Sequence, residues 1–134
     1  PKVVIDDYAH HPTEINAVAD ALEAFYPNQI KLGVFQPHLF SRTRDFVTGF
    51  KQALARFDEV LLLDIYPARE LPMEGITSAL LVDESHTATQ LIDKHMLSEM
   101  IAKSTATVVA IMGAGDIAFE VPAVIQTLKN QQYA

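Results

Sequence analysis

The chain of 134 residues has no cysteine and no tryptophan. Without cysteine there is no disulfide and no thiolate metal site, and the composition fits a reducing compartment. Positive charge is scarce: 10 Lys and Arg stand against 17 Asp and Glu, a formal net charge of −7. Nucleic acid or an anionic membrane is a poor partner for such a surface. No apolar run approaches the roughly 20 residues that span a bilayer. There is no internal repeat, low-complexity stretch or linker-like segment. A GxxxxGK[ST] phosphate loop is missing, so nucleotide hydrolysis or ligation needs residues from outside this sequence. No Ser or Cys nucleophile stands with a plausible base and elbow. A start on Pro1, inside an apolar strand and without a basic-then-apolar leader, is expected of a domain cut from a longer protein and not of a secreted one.

What is present reads as one ordinary globular domain, with 49% apolar and 20% charged residues. Strand and helix patterns alternate. Val3–Ile5, Ile30–Phe35, Val60–Leu63 and Thr107–Met112 read as strands, with a weak one at Thr89–Ile92. The run Val60–Leu63 is solidly apolar, which predicts burial on both faces. Helices are expected from His11 to Phe25, with Pro12 in the first turn, and from Arg44 to Phe57. Further helices are expected near Thr77–Asp83, over Lys94–Lys103 and over Ile117–Leu128. Ile15, Val18, Ala19, Leu22 and Phe25 form one helical stripe; Phe46, Val47, Phe50, Leu54 and Phe57 form another. The expected fold class is α/β, a Rossmann-like three-layer domain with a mostly parallel sheet and helices on both faces.

Ligands of open α/β sheets bind beyond the carboxyl ends of the strands. The polar clusters fall there: residues 6–11 after the first strand, 36–44 after the second, 64–70 after the third and 113–116 after the last. Each also has a bland reading. Asp7 is suited to cap the following helix. His10 and His11 are suited to a solvated loop, and the missing second cluster argues against a zinc site. His86 and His95 read as surface residues. Arg42 and Arg44 read as surface charges, except that a helix start disfavours cations and so points to an anionic ligand between them. Arg69 and Glu70 are placed to pair with each other. Gly113-Ala114-Gly115 is half a dinucleotide fingerprint, or simply a tight turn that brings N–H groups near a ligand.

Four stretches carry a family resemblance. DDYAHHPTEI (6–15) closely resembles the loop that opens the C-terminal domain of Mur ligases, which add amino acids to the peptidoglycan precursor in the cytoplasm. VFQPHLFSRTRDF (34–46), LDIYPARELPMEGITS (63–78) and IMGAGDI (111–117) resemble the next three motifs of the family's alanine-adding branch. DYAH alone marks only the superfamily, which includes folylpolyglutamate synthases. HHPTE together with QPHxxSRT points to the alanine-adding branch; a muropeptide-recycling relative shares HHPT but differs in the second motif.

The resemblance implies a three-domain parent: a UDP-binding N-terminal domain, a central ATPase and this domain as residues 1–134. It implies ATP-driven amide formation between UDP-N-acetylmuramate and L-alanine through an acyl phosphate. ATP and Mg2+ are then held mainly by the central domain, while this domain closes over that site and positions the amino acid. Asp7 and Tyr8 match residues on the ATP side. His10, His38 and Arg42 match residues near the amino acid and the acyl centre, with His10 or His38 as the general base for the amine. Gly113 and Gly115 are expected to leave room for substrate, with Asp116 capping the last helix. His11 and Glu14 are assigned structural roles. Many relatives have arginine at Leu39, so Arg44 or Arg69 would have to supply a second cation. No metal ligand is assigned to this domain. Without the resemblance, the residues also suit a standalone anion- or nucleotide-binding regulatory module, or an α/β enzyme such as a phosphatase.

Overall fold

The computed structural model describes residues 1–83 and 88–132; His86 lies outside them. Five strands form one sheet: β1 (Val3–Asp7), β2 (Lys31–Phe35), β3 (Glu59–Leu62), β4 (Thr89–Leu91) and β5 (Val108–Met112). Their order across the sheet is β1-β5-β2-β3-β4, and every pairing is parallel. Parallel pairing needs crossovers, and helices supply most of them. The chain steps one way from β1 to β4, then returns to insert β5 between β1 and β2. Right-handed crossovers therefore place the last helices on the opposite face from the first.

The core shows that division. In β5, Val108, Ala110 and Met112 join one apolar cluster while Val109 and Ile111 join the other. Val60 and Leu62 of β3 go to the first, Leu61 and Leu63 to the second. The first is covered by α1 (Pro12–Phe25) and α3 (Val47–Leu54) through Ile15, Val18, Leu22, Phe50 and Leu54. The second is covered by α4 (Leu97–Lys103) and α5 (Val121–Gln132) through Leu97, Ile101 and Val124. Gly33 is required where β2 meets Phe57, because a Cβ there would lie 2.9 Å from the ring.

Three details depart from the sequence reading. The helix expected from Arg44 to Phe57 is two helices. The first, α2 (Phe40–Asp45), starts four residues earlier, and the chain kinks at Phe46 before α3. Phe25 and Phe46 are exposed, although both continue an apolar stripe. Thr77–Asp83 contributes only a 3-10 turn, Ser78–Leu81. Further 3-10 turns, Lys94–Met96 and Asp116–Glu120, precede α4 and α5.

Candidate active site

The helices after β1 and β2 lie on one face and the helix after β5 lies on the other. The crevices on either side of β5 are thus topological switch points, where an α/β sheet opens to ligands. Asp7 ends β1, Gly113 follows β5, and Gln36 to His38 leave β2.

Asp7 shapes the first loop. Its Oδ1 accepts the Ala9 N–H at 2.9 Å, and its carbonyl accepts the Gly113 N–H at 3.1 Å. It does not cap α1; His11 does, with Nδ1 accepting the Thr13 N–H at 3.2 Å. Glu14 completes that cap from inside, accepting the His10 N–H at 3.0 Å. This bond, opposed by desolvation, holds the Glu14 carboxyl below its ordinary range. His10 is oriented by the Tyr8 carbonyl, 2.9 Å from its Nδ1, and its ring meets the Tyr8 ring edge-on at 5.5 Å. Tyr8 itself is 70% exposed, a large aromatic held at the rim.

The second loop brings His38 beside His10, with ring centroids 6.0 Å apart. The His38 Nδ1 is buried, and among the described residues it has no hydrogen-bond partner. Burial pushes this imidazole below its ordinary value near 6.5, and the Arg42 guanidinium and the His10 ring push it the same way. These effects favour the neutral form of His38. Arg42, half-buried one turn on, donates only a long 3.5 Å bond to the His38 carbonyl. Among the described residues it has no carboxylate within ion-pair distance.

The helix-start reasoning for the two arginines needs correcting. Both lie in the last turn of α2, not ahead of a helix. Arg44 points away into a 2.8 Å pair with Asp45 and is spent there. Arg69 makes no ion pair with Glu70. Glu70 instead receives the Ser41 N–H at 3.1 Å and the Ser41 hydroxyl, so it satisfies the start of α2 from a distant loop. The hydroxyl bond, foremost, holds the Glu70 carboxyl low.

Asp116 does not cap the turn it begins. It accepts from Gln36 Nε2 at 2.6 Å and from Lys94 Nζ at 2.9 Å. The buried Gln36 in turn accepts the Ile117 N–H at 3.2 Å. This relay borders a cleft of about 240 Å³ lined by Tyr66, Asp64, Asp93 and Lys94 among others. The glycines admit side chains of this same fold. A Cβ at Gly115 would lie 2.5 Å from Tyr66, and one at Gly113 would lie 2.8 Å from Ile117. His95 is exposed at the edge of the same cleft, which it helps to line. Among the described residues no three His, Cys, Asp or Glu side chains are grouped to hold a metal ion.

Sequence reasoning put Gln36 and Tyr66 in the rim clusters that follow the strands but gave them no role. It missed Lys94, which gave no local signal.

The site matches known proteins along its whole length. The UDP-N-acetylmuramate–L-alanine ligase of Christiangramia forsetii is 60% identical over 130 residues, which is 96% of this chain and 29% of that protein. That of Flavobacterium psychrophilum is 59% identical over 119 residues, 87% of this chain and 27% of that protein. The chain thus spans less than a third of the length of these relatives. The solved UDP-N-acetylmuramate–alanine ligase of Thermotoga maritima superposes with a TM-score of 0.74 at 25% identity, covering 96% of this chain and 27% of that one. The family model described as "Mur ligase, glutamate ligase domain" matches residues 1–116, from the approach to β1 through the Asp116 relay. The chain therefore belongs to the Mur ligase family, as the C-terminal domain of such a ligase.

Proposed function

We propose that this chain is the amino-acid-positioning domain of an ATP-dependent ligase that joins L-alanine to UDP-N-acetylmuramate in peptidoglycan precursor synthesis. The observation that carries this reading is Arg42, a half-buried guanidinium without a carboxylate partner among the described residues, beside a His38 whose neutral form is favoured. A planar fork of that kind grips a carboxylate by two parallel bonds. Alanine brings such a carboxylate, with an amine two bonds away. The amine attacks an activated acyl carbon, phosphate leaves, and the nitrogen must lose its extra proton. A neutral imidazole accepts that proton, and His38 stays neutral to lower pH than an ordinary histidine. His10, beside it, completes the amino-acid side of the rim. The names and identities of the relatives support alanine as the amino acid and UDP-N-acetylmuramate as the acceptor.

The same rim suits the nucleotide. Asp7 uses one carboxylate oxygen within its loop and keeps the other for a ribose hydroxyl. Tyr8 offers an exposed ring to the base. Gly113 and Gly115 lie beneath this rim, where they seat Ile117 and Tyr66. ATP and Mg2+ bind mainly to the parent's central domain in this reading, and the UDP moiety to its N-terminal domain. The test is an assay of the parent protein with ATP, UDP-N-acetylmuramate and each amino acid in turn. Alanine is expected to give the highest kcat/KM. Preference for a preformed muropeptide over free alanine would move the protein to the recycling branch.

A further inference from the structure

Tyr66 stands outside every role assigned above, yet its contacts converge on His38. We propose that Tyr66 is the positioning residue for His38: its main chain clamps the histidine from both sides, and its ring, seated over Gly115, fixes the plane of the imidazole. This rests on His38 as the proton acceptor in the proposed ligation.

The main-chain clamp is direct. The Tyr66 N–H donates to the Pro37 carbonyl at 2.8 Å, and the Leu39 N–H donates to the Tyr66 carbonyl at 2.9 Å. The residues on either side of His38 are thus tied to one residue of another loop, a parallel bridge between His38 and Tyr66. Leu39 sits at φ 74°, in the left-handed region that an L side chain avoids. Its conformation is held from one side by Tyr66 and from the other by Thr43, whose Oγ1 donates to the Leu39 carbonyl at 2.8 Å.

Ring packing supplies what hydrogen bonding omits. A working imidazole is ordinarily oriented through its second nitrogen. The His38 Nδ1 lacks that bond among the described residues. Its ring lies instead between His10 at 6.0 Å and Tyr66 at 5.4 Å, the latter tilted by 35°. The Tyr66 ring occupies space that only glycine leaves at 115. Gln36, Asp116 and Lys94, bonded to one another, line the same cleft as Tyr66. The charged or titratable groups facing His38 are Arg42 from α2, His10 from the first loop, and Glu70 and Tyr66 from the third. Covering one face of the imidazole keeps water from its protonated form.

The test follows the His38 imidazole by NMR titration in this chain and, in the parent ligase, the pH dependence of kcat/KM for alanine. Tyr66→Leu removes the aromatic ring; Gly115→Ala pushes it aside and serves if Tyr66→Leu does not fold. Either is expected to raise the His38 midpoint toward its ordinary value and to move the acid limb of the alanine profile upward with it. Alanine efficiency should fall about tenfold at neutral pH, part of what a positioned base contributes, while the KM for ATP stays in place. Tyr66→Phe should restore both readouts. Lowered Tm with an unmoved His38 titration would overturn the proposal. A moved titration with unmoved alanine kinetics would uphold the seating of the ring and overturn His38 as the base.

Discussion

The two ends of the sheet treat their polar groups differently. At the amino ends of the strands they satisfy one another. Lys2 Nζ donates to the Ser104 carbonyl at 2.7 Å and also to that of Ala106. The Lys31 N–H donates to Asp58 at 2.8 Å, Ser104 Oγ to Glu59 at 2.6 Å, and Thr107 Oγ1 to Gln29 at 2.9 Å. At the carboxyl ends, among the described residues, Arg42 has no counter-ion and the His38 Nδ1 has no partner, and Tyr8 stands in solvent. Buried or half-buried polar groups left open cost stability. Among the described residues, the fold tolerates that cost at the end where open α/β sheets bind ligands.

The sharpest way to break this comparison is to separate the chain from its parent. The 134-residue chain should fold, yet show no ATP hydrolysis and no amide formation, because its open rim is half of a site. Robust magnesium-dependent turnover by the purified chain would reject that division of labour. Next in size is Asp7→Asn in the parent. A charge-assisted bond is worth about 1.5–3 kcal/mol, so the KM for ATP should rise roughly tenfold or more with less effect on alanine. A loss confined to the thermal melt would make Asp7 merely the brace of its own loop.

The quiet end of the sheet should respond in the opposite way. Glu59→Ala removes the acceptor of the Ser104 bond and should cost about 1 kcal/mol, a few degrees in Tm. Kinetics for both substrates should not change; altered alanine use would blur the contrast. The smallest effect expected is that of pH. The depressed His38 value contributes stability that is complete above its ordinary value near 6.5 and is lost as pH falls through the lower folded value. A second loss follows in more acid solution, as Glu14 and Asp116 are protonated from their lowered folded values. Melts of His38→Ala should lack the first step and keep the second.

Much of the fold was legible because β2, β3 and β5 are short apolar runs buried on both faces, and α1 opens on His11-Pro12 with a regular stripe behind it. The start of α2 was not, since it depends on Leu39 at positive φ and on Glu70 from 29 residues away. Local patterning ran Phe46 into one long helix, whereas the chain kinks there and leaves Phe46 against the His11 ring at 4.8 Å. At the site, the meeting of His10, His38 and Arg42 on one rim was readable from motifs following strands. The Asp116 relay was not, because Gln36 and Lys94 lie 80 and 22 residues from it and nothing local announces the pairing. Asp116 looked like a cap for the ordinary reason that an acid before a helix often is one.

The most direct measurement is steady-state kinetics of Arg42→Lys in the parent ligase, varying alanine and ATP separately, beside a thermal melt. Lysine keeps the charge and loses the planar fork. If Arg42 grips the amino acid's carboxylate, kcat/KM for alanine falls roughly ten- to hundredfold, about 1.5–3 kcal/mol. The ATP parameters and the Tm then hardly move, as Arg42 has no ion pair to lose among the described residues. Equal losses for alanine and ATP, or none for either, would contradict that role.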